Sequence, residues 1–74
     1  MDFQVTVQDV IVKNDRVCIF IASDGEKSYK FTITKKRLIL ADKVTPGAKL
    51  FVTANLELRT YKNINENALY VLEM

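Results

Sequence analysis

Hydrophobic and polar positions alternate along most of the chain. Phe3, Val5 and Val7 alternate with Gln4, Thr6 and Gln8, the period of a strand with one buried face. At Asp9 the parity changes, because Val10-Ile11-Val12 runs without polar interruption; one long strand with a bulge or bend accounts for it. Lys13-Asn14-Asp15-Arg16 supplies turn residues before a second apolar run, Val17 to Ala22, so these two strands form a hairpin. A second hairpin is marked by Asp24-Gly25, two residue types that tolerate positive φ. Beyond it Tyr29, Phe31 and Ile33 alternate with Lys30, Thr32 and Thr34, which sends the aromatics to the core and Lys30 and Thr32 to water.

Lys35 to Val44 breaks this rhythm. It is rich in helix formers and follows a Thr34 suited to an N-cap, so a short helix of about two turns is expected there, ended by Thr45-Pro46-Gly47. Leu50, Val52, Ala54, Leu56 and Leu58 then alternate with Phe51, Thr53, Asn55, Glu57 and Arg59 in a long fourth strand. Residues 63 to 67 read as a polar loop and Ala68 to Leu72 as a closing strand. Three meandering strands, a short helix and two more strands predict an all-β domain with one short helix, a five-stranded OB-fold barrel over residues 1 to 74. The alternative is an SH3-like small barrel, which usually has a short turn where this chain has ten helix-compatible residues.

The composition narrows the function classes. The 74 residues contain one cysteine, no histidine and three Gly or Pro in all, which excludes an internal disulfide, a zinc set built from Cys and His, and a low-complexity chain. No apolar run approaches the roughly 18 residues of a membrane span, and Met1-Asp2-Phe3-Gln4 has no basic region ahead of an apolar stretch. A cytoplasmic protein without metal, cofactor or membrane partner is expected. Without histidine, and with nine acids scattered singly, acid–base catalysis has no obvious residues, and Cys18 in Val17-Cys18-Ile19-Phe20 reads as a sheet residue rather than a nucleophile. The expectation is a binding module, not an enzyme.

From the fourth strand onward the sequence also resembles a family. Pro46-Gly47, the strand to Arg59-Thr60-Tyr61, a polar loop and Leu69-Tyr70-Val71-Leu72-Glu73 are similar to the second half of bacterial single-stranded DNA-binding proteins. Gly47, Val52, Leu56, Arg59, Tyr61 and Glu73 match that pattern, whereas Ala54 stands where the family has Gly, and its stacking tryptophans are absent. The resemblance implies an OB core that binds single-stranded DNA, stripped of Gly-rich linker and acidic tail, as a small phage or plasmid protein would be. A second OB relative is the bacterial translation initiation factor of S1-domain type, to whose basic segment Lys35-Lys36-Arg37 is loosely similar; that resemblance implies ribosome binding.

The net charge of +2 hides a segregation. Residues 1 to 26 hold Lys13 and Arg16 against five acids, whereas residues 27 to 43 hold six cations against Asp42 alone. A basic stripe of this kind favours phosphate backbones through counterion release. OB-folds hold single strands across the outer face of strands two and three, flanked by the loop between strands four and five. With Val17, Ile19 and Ile21 inward, that face carries Arg16, Cys18 and Phe20 on strand two and Lys30 and Thr32 on strand three. Phe20 is then a stacking platform; its alternative is packing under the helix or into a subunit contact. Lys35, Lys36, Arg37, Arg59 and Lys62 would draw phosphates, and Tyr61 would stack a second base. The expected partner is single-stranded DNA, or RNA, bound with low sequence specificity. The rival is a protein-interaction module or homo-oligomer that docks through an exposed Phe51 or Phe20.

Overall fold

In the computed structural model the described residues are 1–61 and 64–74, with side chains described for 1–56 and 69–74. The chain forms β1 (Asp2–Lys13), β2 (Val17–Ser23), β3 (Ser28–Thr34), a 3₁₀ segment η1 (Lys35–Lys43), β4 (Lys49–Tyr61) and β5 (Ile64–Glu73). The strands close into one barrel in the order β1-β2-β3-β5-β4, with β1 also paired to β4. All neighbours are antiparallel except β3 and β5, which meet in parallel at Phe31↔Leu69 and Thr32↔Tyr70. This is the OB-type layout, and closure leaves the barrel itself without an unpaired edge.

β1 serves both halves of the barrel. Asp2–Thr6 pairs with Thr53–Lys49 of β4, and Thr6–Lys13 pairs with Ser23–Cys18 of β2. Register shifts between Val7 and Asp9 and between Val10 and Val12 bend the strand from one partner to the other. The parity change at Asp9 is therefore two bulges, which add twist where the sheet must curl.

Both early turns use the same side-chain device. Asn14 Oδ1 accepts the backbone N–H groups of Arg16 (2.8 Å) and Val17 (3.0 Å). In the next turn Asp24 Oδ1 accepts those of Glu26 (2.9 Å) and Lys27 (2.8 Å), while Gly25 takes φ +100°. Side-chain oxygens at turn starts thus replace the missing ladder bonds.

The core is apolar throughout. Phe20, Phe31, Ile33, Val52 and Ala54 have no exposed area, and no polar or charged residue is buried among the described residues. Phe31 stacks on Phe20 with ring centroids 5.3 Å apart and meets the edge of Phe3 at 5.4 Å. Each such aromatic pair adds about 0.5–1.5 kcal/mol beyond its buried area.

The segment expected to be an α-helix is a 3₁₀ helix with a break at Arg37 (φ −122°), and Thr34 makes no side-chain cap bond. The apolar spacing suits the difference: the fully buried residues, Ala41 in η1 and Val44 at its C-cap, are three apart, with Leu38 partly buried three before and Leu40 packed beside them, a spacing that a 3₁₀ helix serves. Its C-terminal end is tied to β1 by Lys13, whose ammonium donates to the Val44 carbonyl at 3.4 Å. Past Val44, Gly47 adopts φ +85° and donates its N–H to the Val7 carbonyl at 2.8 Å, and Val7 donates in return to Ala48. β5 begins at Ile64 rather than Ala68, so most of the expected polar loop is strand.

Candidate nucleic-acid interface

The outer face of β2 and β3 is built in rows fixed by strand register. The end row is Val17↔Thr34, the next Val12↔Ile19↔Thr32↔Tyr70, and the next Asp9↔Ile21↔Lys30. Neighbouring strands lie roughly 4.8 Å apart, so each row is a continuous strip of side chains.

This face differs from the expected one at its centre. Phe20 does not reach it: the ring has no exposed area and lies in the core against Phe31. Cys18 and Ala22 point inward with it, and Val17, Ile19 and Ile21 are the half-exposed residues outside. The physical reason lies in the hairpin. A four-residue turn from Asp24 to Lys27 pairs Ser23 with Ser28 and therefore Phe20 with Phe31. Directly paired residues share a face, so an inward Phe31 carries Phe20 in with it. Every residue from Val17 to Ala22 is apolar, and alternation could not choose between the two parities.

Lys30 is exposed on this face and Thr32 half-exposed, as expected of their parity. Arg16 and Lys35 flank the Val17↔Thr34 pair at one end of the sheet, both exposed, with exposed Lys36 and half-buried Arg37 following. The fold therefore gathers Arg16, Lys35, Lys36 and Arg37 at one end of β2 and β3, and the Asp24–Glu26 hairpin lies at the other. Lys30 stands apart from the cluster, in the row of Asp9 and Ile21. Two further cations serve structure, one outside the basic stripe and one at its end: Lys13 holds Val44, and Lys43 donates to the Met74 main-chain oxygen at 2.9 Å. The side chains of Arg59 and Tyr61, and Lys62 altogether, lie outside the described residues.

Tyr70 is the aromatic residue that reading the sequence missed. Its backbone pairs with Thr32 on one side and Asn55 on the other, and Leu69 and Val71 on either side of it point into the core. Tyr70 is thereby turned outward, half-exposed, beside the strip formed by Thr32 and Ile19. The signal was present in the alternation of Leu69, Tyr70 and Val71.

Two titrating groups flank the face without joining it. The backbone N–H groups of Lys27 and Glu26, helped by the Tyr29 hydroxyl at 3.0 Å, hold the Asp24 carboxyl below its ordinary range. Burial pushes the Cys18 thiol up, opposed by the Lys13 charge. A buried thiol with a raised pKa is chemically quiet. Among the described residues no group of three or more Cys, Asp or Glu side chains is placed to hold a metal ion, and no helix is long and apolar enough to cross a membrane. No family model, curated protein or solved structure matches the chain.

Proposed function

We propose that this barrel binds single-stranded nucleic acid, DNA in the first instance, across the outer face of β2, β3 and β5. The observation that carries the reading is one strip of sheet on which Tyr70 lies beside Thr32 and Ile19, with Arg16, Lys35 and Lys36 beyond the adjoining Val17↔Thr34 row. Tyr70 offers a base the stacking surface that the buried Phe20 cannot, and the cluster attracts backbone phosphates. The aliphatic Val12, Ile19 and Ile21 supply flat apolar contact without hydrogen-bonding groups, so the binding carries little sequence preference.

Fluorescence-anisotropy titration with labelled oligo-dT and a matched duplex at low salt tests the proposal. Binding of oligo-dT in preference to duplex, weakened by Lys35→Glu with Lys36→Glu, is the expected result. No binding of either at tens of micromolar protein, an order-of-magnitude ceiling well inside non-specific affinities of about 10⁻⁴–10⁻⁶ M, removes it.

A second reading rests on the same strip. Val12, Ile19 and Ile21 form an aliphatic patch that suits a protein partner as well as a base. The double charge reversal separates the two, because a protein partner held by the aliphatic row survives it. An Ile19→Asp variant would lose that partner while leaving the cationic cluster in place.

A further inference from the structure

On the far side of the barrel from β3 lies the outer face of β1 and β4, and its charges are arranged in a self-complementary order. Three paired rows cross it: Thr6↔Lys49, Gln4↔Phe51 and Asp2↔Thr53. The central residue, Phe51, is 57% exposed, and the side chains of Leu50 and Val52 between the outward residues turn inward to the core. Lys49 stands one row to one side of the ring and Asp2 one row to the other. Asp2 is held in place by the Thr53 hydroxyl, which donates to its Oδ1 at 2.8 Å. Shallow depressions of about 500 and 420 Å³, bounded by Gln4, Phe51 and the Asp24 hairpin, flank the ring.

We infer that this face binds a second copy of the chain about a two-fold axis passing beside Phe51. The axis lies in the plane of the contact and perpendicular to the strands. Rotation about it brings Phe51 against the partner's Phe51 and reverses the row order. The row of Lys49 in each copy then lies over the row of Asp2 in the other, with Lys49 one strand spacing to the side of Asp2 and bridging it by its long side chain, giving two reciprocal ion pairs around an aromatic centre, the isologous arrangement of closed dimers. The match follows from charge order alone: a parallel stacking of the same faces would oppose like charges in both outer rows. Six outward residues are fewer than the roughly 20–30 a side of a standard interface, so the dimer forms in a concentration-dependent way. Because β3 lies opposite, dimerisation leaves both copies of the β2–β3 face open, and the inference stands whether or not that face binds nucleic acid.

Sedimentation velocity without nucleic acid, from low to high micromolar protein, is the test. The mass is expected to rise from 8.5 kDa toward twice that value. Phe51→Ser weakens association by roughly 30-fold, the scale of a central aromatic hot spot. Asp2→Lys and Lys49→Asp each weaken it by about tenfold or more by opposing like charges. The D2K/K49D double variant restores it, since the two charges exchange places and each new ammonium again meets a carboxylate of the partner. All three positions lie on the outer face, and a thermal melt of each variant, expected to match the wild type, checks that it remains folded. A monomer at every concentration, association unaltered by Phe51→Ser, or a double variant as weak as its parents overturns the inference.

Discussion

At the scale of single residues, Phe20 decides how the site is read. Moved from the surface to the core, it becomes one of the largest buried side chains, stacked on Phe31. Phe20→Ala is expected to cost about 3–5 kcal/mol in urea unfolding, a large share of the roughly 4–11 kcal/mol typical of a domain this size. A surface Phe20 would cost little, so the equilibrium melt distinguishes the two positions. Cys18 lies in the same layer, and its thiol is expected to resist a thiol-specific reagent in the native protein and to react on denaturation. Asp24 gives a pH dependence. Its folded pKa lies below the ordinary carboxylate value of 3.8, so the stabilisation it contributes is complete above that value and is lost as pH falls through the folded one. The Tyr29 hydroxyl is shifted the other way, first by its hydrogen bond to Asp24, so its share is lost as pH rises beyond its raised value. Asp24→Asn should flatten the acid side of a stability–pH profile, since it keeps an acceptor oxygen but cannot titrate.

At the scale of elements, turns and bulges do more to set the architecture than strand propensity does. Gly47 carries a positive φ and clasps the β4 entry to Val7, yet nothing lies within 4 Å of where a Cβ would stand. Gly47→Ala is therefore expected to cost about 1–2 kcal/mol from backbone conformation alone, read as a shift in denaturant midpoint with an unchanged slope. The strands themselves were legible wherever one parity was polar: β1 to Val7, β3, and β4 as far as Ala54 follow their alternation directly, whereas Leu56, expected inward, is exposed. Legibility failed where both parities were apolar, at Val17–Ala22, although the four-residue turn and an inward Phe31 together determine the answer. It failed again at η1, where helix-forming composition hid a third-residue apolar period. It failed at β5, where Asn-rich composition reads as loop while backbone pairing with β4 continues through Asn65 and Asn67.

At the scale of the whole molecule, the barrel separates its surfaces. One end of β2 and β3 gathers Arg16, Lys35 and Lys36, the far hairpin carries Asp24 and Glu26, and the β1–β4 face opposite β3 presents Phe51. Arg16, Lys35 and Lys36 thus lie at the opposite end of β2 and β3 from Asp24 and Glu26, although Asp15 stands in the turn beside Arg16 and Lys27 in the hairpin beside Glu26. The site was legible only in part: the cationic cluster follows from sequence and topology, whereas the aromatic partner, Tyr70, comes from β5 through a parallel contact that no local pattern announces. The measurement that bears most directly on nucleic-acid binding is the affinity for oligo-dT as a function of salt, for the wild type and for Tyr70→Ala. With about three to four phosphates neutralised, log K should fall with log salt at a slope of about −2 to −3, and Tyr70→Ala should lower affinity by the roughly 1–3 kcal/mol of one stacked base without changing that slope. A slope near zero, or an affinity indifferent to Tyr70, would contradict the account.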